Sequence, residues 1–288
     1  RNAPIPDVEA EWKSFEHKHL SSKTSKPLTR NLNIFRWGAA LLAAASIALF
    51  FLFRFSAPSS YTVFEASTVA QVISMETKEG IHTLYIPRGM NKQITLSDGT
   101  QVWLNAESSL QYPESFEEKE QREVYLKGEA YFKVTKDTEH PFWVKTEALN
   151  TQVLGTSFNV RAYSEEDTKI TLVEGSVKVS DKNHNELQLS PGEHVDEKLN
   201  KTHVEKASDY HSWADGVFYF DDTELIEIMR ELGRWYNIDI VFTNKEIMKH
   251  RLHFQADRNG TIMDALDLLN SMQKVNARIE NDQVIVGI

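Results

Sequence analysis

The sequence predicts a mostly β domain, a smaller α+β domain after it, and a single transmembrane helix before both. A run of 17 residues without charge lies near the N-terminus. Short strand patterns and turns alternate through the middle of the chain, and strands alternate with amphipathic helices toward its C-terminus. Strand spacings of about 8–12 residues are typical of a β-sandwich or a solenoid-like domain, and both architectures stay open.

The composition limits the classes of function that the chain can have. Its 288 residues suffice for two domains. Its formal net charge of −10 would repel the phosphates of DNA or RNA, so direct nucleic-acid binding is not expected. The chain contains no cysteine, which excludes disulfide bonds, thiolate catalysis and cysteine-ligated zinc.

Residues 37–55 are predicted to form the transmembrane helix. Their charge-free core runs from Trp37 to Phe53, between Arg36 and Arg54, and has the shortest length that spans a bilayer. A helix buried in a soluble domain is the first alternative, but this run has no polar face. A cleaved signal peptide is the second, but at least 36 residues with four acids precede the run. We therefore expect an uncleaved anchor.

The distribution of charge sets the predicted orientation of this helix. Residues 23–36 contain four basic residues and no acid, whereas Arg54 stands nearly alone on the other side. The positive-inside rule then places residues 1–36 in the cytoplasm and the chain from about residue 58 onward outside it. Because the sequence begins at Arg1 without a methionine, we expect this tail to be the last part of a longer N-terminal region.

The predicted all-β domain covers residues 84–200. Residues 56–83 before it are expected to form a linker and leading strands, since Ser, Ala and Pro follow the membrane segment. Asp98-Gly99 lies between two strand patterns and predicts a hairpin, because type I′ turns need positive φ angles. Helical periodicity is missing throughout this region.

The predicted α+β domain covers residues 212–288. A strand pattern at its start precedes a helix whose apolar residues recur at helical spacing, namely Leu225, Ile228, Met229, Leu232 and Trp235. The order of strand and helix then recurs. A strand at 252–256 precedes a second helix, and this helix begins with a capping box at Thr261–Asp264. The sequence therefore predicts a βαβ unit that occurs twice.

Several short motifs of the β region occur in the order found in one known family. They are Pro87-Arg88-Gly89, Leu96-Ser97-Asp98-Gly99-Thr100, Val102-Trp103-Leu104-Asn105, Gly128-Glu129-Ala130-Tyr131-Phe132, Leu154-Gly155-Thr156-Ser157-Phe158-Asn159-Val160, Val173-Glu174-Gly175-Ser176-Val177 and Pro191-Gly192-Glu193. In these motifs the region resembles the FecR domain of anti-sigma factors. The region with the repeated βαβ plan resembles the STN-like domain that often follows, so the resemblance covers residues 84–288.

The resemblance implies a signalling protein and not a conventional enzyme. FecR-like proteins bind an extracytoplasmic-function (ECF) sigma factor through a helical cytoplasmic domain. In the periplasm they sense the signalling domain of a TonB-dependent outer-membrane transporter. The helix of this chain would accordingly cross the inner membrane once, with the bulk of the chain in the periplasm. Only the end of the sigma-binding region is expected here, with Trp12 and Phe15 as candidate sigma contacts.

Two other classes of function stay open. STN-like folds also occur in secretins and transporters, so the chain could be a membrane-tethered periplasmic assembly or structural module without a sigma partner. A tethered enzyme acting on polysaccharide would need clustered carboxylates, which the sequence does not visibly supply. No metal or cofactor is expected, because the ten histidines form no ligand set of the usual spacing.

The dipeptide Gly155-Thr156 is the candidate for chemistry. Some relatives of the FecR type cleave themselves at a Gly-Thr bond in this motif. The resemblance implies that Thr156 Oγ1 attacks the Gly155 carbonyl, that an N→O acyl shift gives an ester, and that water hydrolyses it. A glycine before the bond allows backbone conformations that other residues avoid. The alternative is a plain turn or bulge in a β-strand.

A strand of the α+β domain is the candidate surface for the transporter's signalling domain. Edge strands of small α/β domains accept a partner's strand, and this one contains Val217, Phe218, Tyr219 and Phe220. The alternative is that the FecR domain covers the strand completely.

Overall fold

The computed structural model describes residues 61–66, 72–204 and 206–287. The predicted membrane segment 37–55 and the tail with Trp12 and Phe15 lie outside these ranges. Within them, no helix combines the length and the apolar character that crossing a membrane requires. All described residues belong to one compact unit, Ser59–Ile288.

Fourteen strands of the middle region form one continuous sheet, β2 to β15, and a short strand, β1, precedes them. The bounds are β1 (Tyr61–Phe64), β2 (Ser74–Lys78), β3 (Ile81–Ile86), β4 (Lys92–Thr95), β5 (Gln101–Leu104), β6 (Ser108–Pro113), β7 (Arg122–Lys133), β8 (Phe142–Lys145), β9 (Leu149–Val153), β10 (Ser157–Ala162), β11 (Thr168–Glu174), β12 (Val177–Asp181), β13 (Glu186–Leu189), β14 (Glu193–Asp196) and β15 (Lys201–His203). The mostly β architecture predicted for this region is confirmed.

The sheet folds into two layers about its longest strand, β7. The first half of β7 pairs with β6 and β8, and its second half pairs with β5 and β10. The ring of Phe132 in β7 lies 5.3 Å from that of Phe158 in β10 and 6.2 Å from that of Phe142 in β8. The two layers therefore face each other across one apolar core. We call β2 to β15 the sandwich.

Gly128 allows β7 to pass from one layer to the other. Its φ angle is +103°, and a Cβ atom there would lie 2.6 Å from Cα of Ser108. Glycine alone meets both requirements, the positive φ angle and the close approach of the neighbouring strand. The hairpin predicted at Asp98-Gly99 is confirmed, since β4 and β5 pair antiparallel across it. The predicted type I′ turn is wrong, because Gly99 has a positive φ angle of +81° but Asp98 does not.

The C-terminal region is an α+β domain, as predicted. Its elements are a 3-10 helix (Ala207–Asp215), β16 (Val217–Glu224), α1 (Leu225–Tyr236), β17 (Asp239–Phe242), α2 (Lys245–Met248), β18 (Arg251–Asp257), α3 (Ile262–Ser271), β19 (Asn276–Glu280) and β20 (Gln283–Gly287). One sheet has the order β1-β17-β20-β19, and β16 pairs with β18 in a second. We call these elements, together with β1, the C-terminal domain.

Both predicted helices of this domain are present. The apolar face of α1, from Leu225 to Leu232, is buried in the core of the domain. The capping box of α3 is formed: Thr261 Oγ1 accepts from the Asp264 N–H at 3.3 Å, and the Asp264 carboxylate accepts from the Thr261 N–H at 2.7 Å. Local patterns thus placed both helices correctly.

The order strand–helix–strand occurs twice, but neither repeat pairs its own strands. A βαβ unit has its two strands parallel in one sheet. Here β16 and β17 lie in different sheets, and so do β18 and β19. The first strands of the two repeats pair antiparallel with each other, while β17 runs parallel to β20. The two repeats are therefore interleaved, which the spacing of the patterns could not indicate.

β1 belongs to the C-terminal domain, although the chain enters the sandwich directly after it. It pairs antiparallel with β17, and Phe64 lies opposite Ile240. The Phe64 side chain is 9% exposed and packs into the core of the C-terminal domain. The prediction of linker and leading strands for residues 56–83 did not anticipate this pairing.

Candidate functional site

A buried group of polar and charged side chains joins the sandwich to the C-terminal domain. Six of its seven members have at most 6% of their surface exposed, and Arg161 is slightly more accessible. Burial of so many polar groups is tolerated only when they have partners. We call this group the junction cluster, and its members are Asn105, Glu129, Asn159, Arg161, Glu231, Arg234 and Arg258.

The sandwich contributes its part of the cluster from three neighbouring strands. Glu129 lies in β7 beside the bend at Gly128, Asn105 follows β5, and Asn159 lies in β10. Asn105 Nδ2 donates to Glu129 Oε2 and Asn159 Nδ2 donates to Glu129 Oε1, each at 2.9 Å. The Asn105 N–H also donates to the Glu129 carbonyl oxygen at 2.9 Å. Strand pairing thus fixes two amides around one carboxylate.

Helix α1 contributes Glu231, whose carboxylate contacts both domains. Its Oε1 accepts from Asn105 Nδ2 at 3.0 Å and also from the Arg258 guanidinium. Its Oε2 accepts from Arg234 Nη1 at 2.7 Å and lies 3.4 Å from Arg161 Nη1. Asn105 and Arg161 belong to the sandwich, so a single buried carboxylate of the C-terminal domain binds it at two points.

Arg258 is the most deeply buried cation of the cluster, with 2% of its surface exposed. Its guanidinium carbon lies 4.5 Å from the ring centre of Trp235 and 4.6 Å from that of Phe218. It donates to Asn105 Oδ1 at 3.0 Å. Aromatic faces attract cations, and the planar guanidinium suits such stacking. The rings therefore help to hold a charge that burial alone would disfavour.

The two carboxylates of the cluster experience opposite electrostatic environments. Burial raises the pKa of Glu129 above its usual value, and the charge of Glu231 adds to this against the opposing charge of Arg161. Burial also disfavours the charge of Glu231, but Arg234, Arg258 and Arg161 outweigh it and lower the pKa of Glu231 to about 2. The three arginines therefore favour the ionised form of Glu231, whereas burial disfavours the ionised form of Glu129.

The junction cluster resists separation of the two domains. Among the described residues, no group of three or more His, Cys, Asp or Glu side chains is placed to hold a metal ion. Removing one member of a buried ion pair lowers the free energy of unfolding by about 3–5 kcal/mol. Separating the two domains would remove sandwich partners from Glu231, so the cluster makes their relative movement costly.

The junction cluster could not be recognised from the sequence, although three of its members stand in the FecR-like motifs. Asn105, Glu129 and Asn159 are polar residues within otherwise apolar strand patterns, and that is the local signal they offer. Their meeting with Glu231 depends on contacts across the chain, such as the hydrogen bond from Asn105, 126 positions away.

Gly155-Thr156 lies in the turn between β9 and β10. The φ angle of Gly155 is +146°, and a Cβ atom there would lie 2.7 Å from Cα of Lys136. The backbone at this bond therefore favours glycine both by its φ angle and by the lack of space.

The Thr156 hydroxyl is held beside that bond. Its side chain is 5% exposed, and Oγ1 donates to the Ser176 carbonyl oxygen at 3.0 Å. A Cβ atom at Gly175 would lie 2.9 Å from Thr156 Oγ1 and 3.1 Å from the Gly155 carbonyl oxygen, so the Gly175 backbone closes over the bond. In the described ranges, no histidine or carboxylate hydrogen-bonds this hydroxyl. A cleft of about 650 Å³ borders the bond.

The candidate edge strand is β16. Phe218 is buried at 1% exposure, while Val217, Tyr219 and Phe220 are half-buried. Within the part of the chain that the structure describes, β16 pairs only with β18, so its second edge has no strand partner. The 3-10 helix packs against β16.

The depressed pKa of Glu231 makes stability depend on pH. Its contribution is complete above the usual carboxyl pKa of 4.5 and is lost as the pH falls toward 2. Glu129 has the opposite sign, because a raised pKa stabilises the fold only at low pH. The wild type should lose free energy of unfolding as the pH falls from 5 to 2, and we expect Glu231→Gln to reduce this loss by up to about 3 kcal/mol. Urea unfolding at several pH values measures the slope of the free energy of unfolding against pH.

Glu280→Gln is the matched control for this experiment. Glu280 forms an exposed ion pair with Arg278, with about half of each side chain accessible. Exposed pairs contribute little, so the slope should stay as in the wild type. A wild-type slope in Glu231→Gln would contradict the assignment of Glu231 as the ionised centre of the junction cluster.

Comparison with known proteins agrees with this architecture. A family model described as FecR protein matches residues 82–178, and one described as FecR, C-terminal matches residues 217–286. No curated protein sequence matches the chain. Two crystal structures of a "putative anti-sigma factor" from Parabacteroides distasonis ATCC 8503, at 2.50 and 1.65 Å resolution, are similar to it. Their sequences are 29% and 30% identical to this chain, and each superposes on it with a TM-score of 0.65. The matches cover 72% and 71% of this chain and 98% of each crystallised chain. The chain therefore belongs to the FecR family of anti-sigma factors.

Proposed function

We propose that this anti-sigma factor links a TonB-dependent outer-membrane transporter to a cytoplasmic ECF sigma factor. Membership of the FecR family is the observation that carries the proposal, because it implies a sigma factor as partner. The finer identity of both partners rests on the resemblance of the sequence motifs. The likeness of residues 212–288 to an STN-like domain belongs to the same proposal.

The proposed topology follows from the sequence. Residues 37–55 cross the inner membrane once, with residues 1–36 in the cytoplasm and the sandwich and C-terminal domain in the periplasm. The charge-free run between Arg36 and Arg54 and the basic residues before it support this orientation. Trp12 and Phe15 in the tail are the proposed contacts to the sigma factor.

The junction cluster supports a role in transmission. A signal received by one domain must alter the rest of the protein if it is to reach the membrane. Because Glu231 and Arg258 of the C-terminal domain bind Asn105 of the sandwich, the domains respond together. A ligand changes the populations of two conformations of such a protein only if it binds them with different affinities.

The free edge of β16 is the proposed site for the transporter's signalling domain. A strand added there would gain main-chain hydrogen bonds without displacing β18. The half-buried Tyr219 and Phe220 leave apolar surface for a partner's side chains. The half-burial of β16 and the 3-10 helix beside it limit such a partner to the exposed part of the edge.

Capture of partners and a reporter test this function together. Full-length protein, taken from native membranes in detergent, should retain an ECF sigma factor detectable by mass spectrometry. A promoter that depends on this sigma factor should respond to the transporter's ligand. We expect Tyr219→Pro to leave sigma capture unchanged and to abolish the response, because proline cannot donate to an added strand.

Gln255→Pro is the control for the β16 edge. Gln255 lies opposite Tyr219 in β18, so its replacement places a proline at the matching position of the neighbouring strand without altering the free edge of β16. A normal response in Tyr219→Pro would contradict the proposed edge. Absence of any sigma factor would favour the second candidate function, a membrane-tethered periplasmic assembly or structural module.

We also propose that the chain cleaves itself at Gly155-Thr156. Thr156 Oγ1 attacks the Gly155 carbonyl carbon, the Thr156 nitrogen takes up the proton and leaves as an amine, and the bond becomes an ester. Water then hydrolyses the ester to a Gly155 carboxylate and a free Thr156 hydroxyl. The positive φ angle of Gly155 and the buried hydroxyl beside it support this proposal.

Intact-mass analysis of the purified protein tests self-cleavage. We expect wild type to give two fragments that meet at Gly155-Thr156, and Thr156→Ala to give one intact chain because it has no nucleophile. Thr156→Ser keeps a hydroxyl and should still cleave. The fragments should remain associated, since β9 and β10 on either side belong to one sandwich. An intact wild-type chain would show that the glycine serves only the turn.

A further inference from the structure

The strand β1 connects two parts of the chain in an unexpected order. It pairs with β17 of the C-terminal domain, yet the next strand in the sequence, β2, lies in the sandwich. The registered pairs are Tyr61 with Phe242, Thr62 with Val241 and Phe64 with Ile240. Residues 61–64 are therefore attached to the C-terminal domain before the chain enters the sandwich.

Phe64 anchors β1, and helix α1 has a glycine at the point of contact. A Cβ atom at Gly233 would lie 2.6 Å from Phe64 Cδ1 and 2.8 Å from Ile240 Cγ1. Glycine weakens a helix relative to alanine, but here it lets the Phe64 ring pack directly on the helix backbone.

The sandwich also contacts this segment. The Arg88 guanidinium carbon lies 4.4 Å from the ring centre of Phe64, and Arg88 donates to the Glu65 carbonyl oxygen. The Ala66 N–H donates to the Asp239 carboxylate at the start of β17. β1 is thus held where both domains meet, and its contacts depend on their relative position.

β1 has the features of a strand that can leave without unfolding the rest. It has four residues, and its register shifts between Thr62 and Phe64. Short elements at a sheet edge open with less free energy than whole domains. β20 pairs with the other side of β17, so β17 keeps a neighbour when β1 leaves.

The edge beneath β1 is strongly apolar. Ile240, Val241 and Phe242 of β17 are all buried, with at most 6% exposure. An uncovered apolar edge strand pairs readily with another strand. β1 itself shows what fits there: an antiparallel segment with an aromatic residue opposite Phe242 and another opposite Ile240.

We propose that the β17 edge is a strand-exchange site. Its occupant in this structure is β1, and its ligand is an extended segment of a protein partner with aromatic side chains at the positions of Tyr61 and Phe64. Binding of that segment displaces β1 and frees the chain that leads to residue 58. The exchange site stands by itself, whereas a relay from the freed chain to a sigma factor would rest on the proposed function.

A peptide with the sequence of residues 59–67 is the probe for this site. In the wild type, β1 competes at the high effective concentration of a tethered strand, so a free peptide should bind poorly. Phe64→Ala weakens the tethered strand but leaves β17 unchanged. We expect the fluorescently labelled peptide to bind full-length Phe64→Ala at least about tenfold more tightly than wild type.

Two further proteins control this experiment. Phe116→Ala removes a similarly buried phenylalanine of the sandwich, 8% exposed, and should bind the peptide as weakly as wild type. The pair Thr62→Cys and Val241→Cys replaces directly opposed residues in a chain without other cysteines, so its disulfide fixes β1 in place. The oxidised form should bind no peptide, and reduction should restore the wild-type level.

Hydrogen exchange of residues 61–66 completes the test. Faster exchange there in Phe64→Ala, with β11 unchanged, together with tighter peptide binding supports the exchange site. Equal peptide binding by Phe64→Ala and wild type overturns it, and so does equal loosening of β1 and β11. None of these measurements uses a sigma factor or a transporter, so their failure leaves the proposed function intact, and loss of the reporter response leaves the exchange site intact.

Discussion

The Glu231 carboxylate, buried between the sandwich and the C-terminal domain, is the group on which the rest of the structure depends. It is 4% exposed and binds Arg234, Arg258 and Asn105. Removing one partner of a buried charge is strongly destabilising, whereas an exposed ion pair contributes little. The contacts of Glu231 therefore link the domains more firmly than the many surface ion pairs of this acidic chain.

The contacts of Glu231 connect the bend of β7, helix α1 and strand β1. The bend of β7 at Gly128 brings Glu129 to the domain junction, and helix α1 carries Glu231 two residues before Gly233. The same helix packs on Phe64 of β1 through Gly233. The domain junction, helix α1 and strand β1 thus form one connected series of contacts, and a change at the C-terminal domain has a physical route toward β1.

Local sequence patterns predicted those parts of the fold that local interactions determine. The Asp98-Gly99 hairpin, the apolar face of α1 and the capping box at Thr261 depend on residues a few positions apart. The interleaving of β16 to β20, the pairing of β1 with β17 and the junction cluster depend on contacts between distant residues. At the candidate sites, the motifs included Asn105, Glu129 and Asn159 but could not indicate that Glu231 meets them.

The most direct test of this account is native-state hydrogen exchange on wild type and Arg258→Met. Methionine fills part of the space between the Trp235 and Phe218 rings but leaves Glu231 without its most deeply buried cation. We predict that β10 and α1 open together in the wild type, and that the variant loses about 3–5 kcal/mol of protection in α1 and opens it separately. Independent opening of β10 and α1 in the wild type, or unchanged joint opening in the variant, would contradict the account.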